Sequence, residues 1–381
     1  PIRRKGLFSI QWGGSLSYHR AHRDHGDFKR FFSVNSVISV VKKSATPPST
    51  RESRKVDSMP NVSQISTDIL IVGAGMTGLL AATDLQASGF QSLVVDKGRG
   101  VGGRLATRRI GSSTFDHGAQ FITARTPRFA ALLEEWRGLG LLAEWYRGGE
   151  DDHIRWRGVP SMTAVPKHLA KSLNVRLEMK MTALRQESSR WLAVFENGET
   201  VAARAVLLTA PVPQSLALLD AGGVTLEASM RGQLEAVEYE PCLAVMAVPK
   251  SGSNIPQPGF VRPESGPIAW IADNQMKGVS ASGAVTIHAT PVYSSTHWDD
   301  DRQDVGRDLL AAAAPWLGSE IAEFQVHAWR YARPAKGQAH PCLTLNRSPS
   351  LVIAGDAFGG PRVEGAALSG WAAAEALKSH L

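Results

Sequence analysis

Cysteine is scarce in this 381-residue chain. Only Cys242 and Cys342 occur, too few and too far apart for a metal centre or a redox pair. A reducing compartment is the simplest reading. No run reaches the ~18 apolar residues of a membrane helix, and the longest uncharged hydrophobic stretch, Ile69 into Leu80, carries three glycines. A basic excess is absent from most of the chain as well. Residues 1–58 hold 12 of the 42 Lys and Arg but 4 of the 35 Asp and Glu, so from residue 59 onward 30 basic residues face 31 acidic ones. The pI near 9.5 belongs to the first 58 residues, and the rest lacks the basic excess that tracks nucleic acid. Missing too are a Ser/His/Asp set, metal-ligand spacing and a cysteine in a nucleophile motif.

The first 58 residues mix Arg, Ser and His without period, and "SATPPSTRESRK" has linker composition. The expectation is a disordered basic tail and linker over residues 1–63. A compact cytoplasmic enzyme beginning near Met59 fits this pattern. The alternative is an organellar transit peptide, which Asp24 and Asp27 count against.

What is present begins with "IVGAGMTGLLAA", residues 71–82. The apolar run "DILIVG" has the character of a strand buried in a parallel sheet, and "MTGLLAATDLQASG" has helical spacing with Gly89 as its cap. Gly73 then permits the tight turn, Gly75 lets backbone approach a pyrophosphate, and Gly78 allows helix to pack on strand. "SLVVD" ends in Asp96, 18 residues past Gly78, where a carboxylate takes ribose hydroxyls. This combination predicts a dinucleotide site.

Two further segments favour a flavin over a nicotinamide dinucleotide. "KGRGVGGRLATRR" carries Gly102, Gly103 and Arg104, a guanidinium able to pair with a diphosphate. "LVIAGDAFGGPRVEGAALSGWAAAEAL" reads as a strand ending at Ala354, Asp356 at its tip, and a helix from Ala366 to Leu377. Asp356 is placed for ribityl or ribose hydroxyls, and the helix N-terminus for the negative edge of a reduced flavin. Glu364 flanks that helix, to frame the flavin site or only to cap the helix.

The middle of the chain supplies a helix from Thr126 and Pro127, strands over residues 158–212 with a hairpin turn at Asn197-Gly198, and a run of strands with one clear helix from about 213 to 340. In "HAWRYA", His327, Trp329 and Tyr331 share one face of a strand and are the candidates to contact a flat substrate. Ordinary core packing is the competing reading, and His288 reads as a core histidine.

Together "DILIVGAGMTGLLAA", "DKGRGVGGRLATR", "FDHGAQFIT" and the C-terminal segment resemble renalase and its bacterial relatives, within the wider FAD-dependent amine oxidase superfamily. The resemblance runs from about Thr67 to the end of the chain. It implies an α/β fold: a discontinuous Rossmann-like FAD-binding domain of the amine oxidase and glutathione reductase type, with an inserted α+β substrate domain on an antiparallel sheet. The expected FAD segments are 64–125, 158–212 and 341–381, and the expected substrate segments are 126–157 and 213–340. By the same resemblance FAD is bound non-covalently, with no cysteine in the C-terminal flavin segment. Thr77 belongs to the pyrophosphate loop, Gln120 and Phe121 lie near the flavin, Met181 gives backbone contacts near the adenine, and Glu364, Gly365 and Ala366 border the cofactor. The implied reaction is oxidation of 2- and 6-dihydro isomers of NAD(P)H, with O2 as acceptor. Because the FAD motifs do not specify a donor, an amine oxidase or desaturase-like dehydrogenase stays open, as does a flavin-binding module without turnover.

Overall fold

The computed structural model describes residues 65–148 and 152–381; the tail expected over residues 1–63 lies outside them. The strand β1 (Ile65–Val72) turns through the first glycines into α1 (Met76–Ala87) and β2 (Ser92–Val95). Two hairpins follow, β3 (Thr107–Ile110) with β4 (Ser113–Asp116) and, after α2 (Pro127–Gly138), β5 (Leu142–Arg147) with β6 (Ile154–Gly158). Next come α3 (Ala164–Ala170), β7 (Val175–Arg176), β8 (Met181–Glu187), β9 (Arg190–Phe195), β10 (Thr200–Leu208), α4 (Val212–Ala221) and α5 (Ala228–Glu235). A second sheet is built from β11 (Tyr239–Pro249), β12 (Phe260–Val261), β13 (Ile268–Asp273) and β14 (Val285–Ala289). After α6 (Pro291–Thr296) and α7 (Arg302–Leu317), β15 (Ile321–Pro334) completes it. The chain then returns through β16 (Cys342–Arg347), β17 (Ser350–Ala354), α8 (Asp356–Gly359) and α9 (Val363–Lys378).

The first sheet has the order β16-β17-β10-β1-β2-β7, with β9 and β8 continuing from β10. Its centre, β17-β10-β1-β2-β7, is parallel. Both faces are covered, so alternate residues of the same strands enter two cores. Ile69, Ile71, Val94 and Leu207 pack under α1 and α9, while Leu70, Val72, Val95 and Leu208 pack with Trp191, Leu216 and Leu219. This two-sided burial is why these strands read as unbroken apolar runs. The second sheet, β12-β13-β14-β11-β15, is antiparallel and alternates instead. Leu243, Val245, Ile271 and Ile287 bury against Leu309 and Ala313 of α7, while Met246 on the opposite face meets Ile110 and Phe115 of the first hairpin.

Several expectations shift. Phe129, Leu133 and Trp136 of α2, and Leu142 and Trp156 of the second hairpin, join the core under α1, although residues 126–157 were expected with the inserted region. Leu216, Leu219 and Leu234 likewise pack on the first sheet, so the inserted sheet starts at Tyr239 rather than near 213. The final helix begins at Val363, three residues before the expected Ala366. Met181, expected near the adenine, opens β8.

Glycines remove side chains where α9 packs on α1 and where α1 packs on the turn before it. A Cβ on Gly370 would lie 2.4 Å from the Thr77 carbonyl oxygen, and one on Gly78 would lie 2.0 Å from the Gly73 carbonyl oxygen. A Cβ on Gly75 would meet nothing within 4 Å. Gly78→Ala should therefore destabilise the fold by about 1–3 kcal/mol or more, while Gly75→Ala stays within about 0.5 kcal/mol of the parent. Urea-unfolding midpoints of the two variants check the contrast.

Candidate functional site

The first turn places Gly73 at φ +117, where a Cβ would sit 2.4 Å from Thr209 Oγ1. Gly75 caps α1 with no side-chain hydrogen bond among the described residues, so the first amides of that helix have no side-chain acceptor. The second glycine loop is bound to the first: Gly102 N donates to the Ala74 carbonyl at 2.8 Å, and a Cβ on Gly103 would come within 3.7 Å of Gly75 Cα. Two side-chain-free backbones thus border one groove beside a helix N-terminus. Asp96, at the tip of β2, spends one lone pair of each oxygen on this loop system, accepting from Ala74 N and Gly98 N, both at 2.7 Å.

Arg104 and Asp356 meet rather than standing apart. Arg104 Nη1 and Nη2 donate to the two Asp356 oxygens at 2.6 and 2.7 Å, and Nη1 also lies 3.3 Å from the Tyr331 and Ala332 carbonyls. The fork geometry joins the second glycine loop to the strand end of the C-terminal segment. Each group expected to hold part of the cofactor is thus held in place by the other.

Four residues expected at the cofactor have their side chains or packing engaged within the protein, and the main-chain contacts expected of them are a separate matter. The Thr77 hydroxyl is buried and donates to the Ala366 carbonyl at 2.9 Å, so it ties α1 to α9 and turns away from the groove. The Glu364 carboxylate accepts from Arg125 N, Thr126 N and Thr126 Oγ1, which fastens α9 to the start of α2. It takes the Thr126 hydroxyl, which therefore does not cap its own helix. Met181 is buried in the core on the far face of the first sheet. Gly365 serves packing, since a Cβ there would be 2.1 Å from the Gly360 carbonyl.

The segment after β4 builds the centre of the site. Gln120 Nε2 donates to the Asp116 and Gly118 carbonyls at 2.7 and 3.1 Å, leaving its buried Oε1 without a partner. His117 stacks on Trp329 at 5.2 Å between ring centroids and meets His327 edge-on at 4.9 Å, while Trp329 Nε1 donates to the His117 carbonyl at 3.0 Å. His288 Nε2 donates to that carbonyl too, at 3.1 Å. Burial is the main cause that holds all three imidazoles neutral, with His117 pushed down to about 3 and His288 and His327 to about 4. The sequence pattern had singled out His327, Trp329 and Tyr331. Of these, Tyr331 packs against Tyr239 at 5.3 Å, beside the Arg104–Asp356 pair. Phe121 belongs to a second aromatic group with Trp145, Tyr146 and Trp270.

Sequence reasoning missed His117 and the pair beneath it. Lys277 Nζ donates to Asp116 Oδ2 at 3.1 Å with both side chains wholly buried. Asp116 Oδ1 accepts from Thr107 Oγ1 and Met162 N, and its main chain bonds Asn274 and Thr286. Burial pushes the Lys277 ammonium down and the Asp116 charge opposes it. An aspartate in "FDHG" and a lysine 161 positions later carry no local signal of a partnership.

Removing one partner leaves the other charge buried and unpaired, so Lys277→Met should cost about 3–5 kcal/mol, with part regained in Lys277→Met/Asp116→Asn. Denaturant unfolding of the single and double variants reads this out. The histidines give a second expectation. Below their ordinary 6.5 the unfolded chain takes up protons that the folded chain refuses until about 4, so stability falls as pH drops through that window. His288→Asn should flatten the dependence of the unfolding midpoint between those two pH values.

The groove fits FAD on structural grounds: two glycine backbones with room beside them, a helix N-terminus without a side-chain cap, and a buried Gln120 oxygen lacking a donor. Comparison with known proteins agrees. Residues 71–136 match the NAD(P)-binding Rossmann-like domain, and residues 137–378 match the flavin containing amine oxidoreductase family. Renalase of Mus musculus is 26% identical over 342 residues, 82% of this chain and 99% of that one. Putrescine oxidase of Kocuria rosea is 34% identical over 91 residues, 24% of this chain and 18% of that one. Among solved structures, a putrescine oxidase variant superposes with a TM-score of 0.66 at 15% identity, covering 84% of this chain and 100% of that one. A putative protoporphyrinogen oxidase from Exiguobacterium sp. 255-15 gives 0.64 at 15%, with the same coverage. The two sheets, the paired glycine loops and a family match spanning most of the second half lead to one assignment: this chain belongs to the flavin-containing amine oxidoreductases and is an FAD-dependent oxidoreductase.

Proposed function

We propose that the chain is a renalase-like oxidase that takes hydride from 2- and 6-dihydro isomers of NAD(P)H, releases NAD(P)+ and reduces O2 to H2O2. One observation carries the reading beyond the family: the wall beside the cofactor groove is made of neutral rings, His117 on Trp329 with His327 at their edge, and the carboxylates around it are already engaged. Asp116 is bound to Lys277, Asp356 to Arg104, and Glu364 to the amides of residues 125 and 126. Among the described residues a cationic amine finds no free carboxylate there, whereas a flat uncharged ring can stack. Similarity over nearly the full length of a renalase supports the same donor class.

When bound, FAD supplies the two-electron acceptor: the donor C–H bond breaks, hydride leaves with both electrons, and NAD(P)H, a proton and O2 give NAD(P)+ and H2O2. The protein's own part is to orient the donor ring. An electron-rich dihydropyridine needs little acid or base help, which agrees with histidines held neutral. Gln120 Oε1 and His117 Nδ1, both buried and without partners among the described residues, are polar atoms that a bound ring system could engage.

The purified protein should show flavin absorbance that bleaches anaerobically with an NADH preparation containing the 2- and 6-dihydro isomers and persists with pure β-NADH. Bleaching by amines alone would move the assignment to an amine oxidase. A flavin reduced by neither would leave a binding module, and protein without flavin would refute the reading.

A further inference from the structure

One face of β15 presents Gln325, His327, Trp329 and Tyr331 in alternation, a row about 20 Å long. Each end of this row meets an arginine. At the Tyr331 end stands Arg104, whose guanidinium is taken up by Asp356 and by the carbonyls of Tyr331 and Ala332. At the other end Arg108, on β3, reaches Gln325 Oε1 with Nη1 at 3.4 Å. That acceptor is a neutral amide, the bond is long, and among the described residues no carboxylate stands within ion-pair distance of Arg108. Its charge also reaches His117 and His327 and helps keep both neutral. A half-buried guanidinium with most of its donors unspent, at the edge of a ring-binding wall, has the chemistry of an anion site.

We infer that Arg108 binds the phosphate of the donor's nucleotide. This rests on the dihydronicotinamide reading of the site and adds to it: the ring lies on His327 and Trp329, and the phosphate, one ribose away, reaches the guanidinium two residues along the strand. Arg104 cannot take this part, because its fork is filled by Asp356. Selection of the donor then has two components, stacking for the ring and a charge for the phosphate. The substrate class is accordingly a phosphorylated dihydronicotinamide, with the unphosphorylated riboside a poor donor.

The test is anaerobic stopped-flow reduction of the flavin-loaded protein by the 6-dihydro isomer of nicotinamide mononucleotide and by the matching riboside, which lacks phosphate. The parent should favour the phosphorylated donor in the ratio of reduction rate constant to Kd. Arg108→Gln should lower that preference by about 10- to 100-fold, and Arg108→Lys should retain part of it, as a point charge without the fork. Added salt should erode the preference of the parent more than that of Arg108→Gln. A preference unchanged in Arg108→Gln, whether reduction by both donors is retained or slowed equally, overturns the role of Arg108 while leaving the donor class intact. If neither compound reduces the parent flavin, the donor reading itself falls, and this inference with it.

Discussion

The buried ion pair between Asp116 and Lys277 is the constraint on which the arrangement of this molecule depends. One partner ends the first hairpin and the other follows β13 of the second sheet, and no water-exposed surface remains on either side chain. Such a pair repays its desolvation only if the remaining lone pairs and protons are satisfied in good geometry. Asp116 meets that condition by using both oxygens, its amide and its carbonyl at once, drawing in Thr107, Met162, Asn274, Gln120 and Thr286. The inserted sheet is thereby fixed against the hairpin at one place and in one orientation.

What that placement achieves is the position of the next four residues. His117 lies on Trp329 and offers its carbonyl to Trp329 and His288, while Gln120 is turned by the Asp116 carbonyl so that its oxygen stays open. The imidazoles stay neutral because they are buried among one another and near Arg108. Neutral rings, carboxylates tied up in pairs, and a cation at the rim are the features on which the proposed flat, electron-rich and anionic donor rests. The same economy appears at the cofactor end, where Arg104 and Asp356 bridge two segments 252 residues apart.

Much of the architecture was legible because it rests on local rules. Strand, glycine turn and helix follow one another from Ile65 to Ala87, and Thr126-Pro127 starts α2 as its composition predicts. The site was less legible. Thr77 sits inside the glycine motif, yet its hydroxyl bonds the Ala366 carbonyl of α9. Glu364 is in the first turn of α9, where a carboxylate suits the helix dipole, yet its oxygens are spent on amides of α2. In both cases position in the chain does not fix which partner the side chain meets.

By itself the sequence determined the glycine backbones of the cofactor groove, the buried parallel strands and the ring-bearing face of β15, since each depends on residues within a few positions of one another. Only the tertiary structure decided that Asp116 belongs to Lys277, Arg104 to Asp356 and Glu364 to the start of α2, and that Arg108 keeps no acidic partner among the described residues. Those outcomes depend on which charges meet when distant segments pack. Charge has no periodicity along the chain, so its pairing is settled by the approach of the folded surfaces and by the high free energy of leaving a buried ion alone.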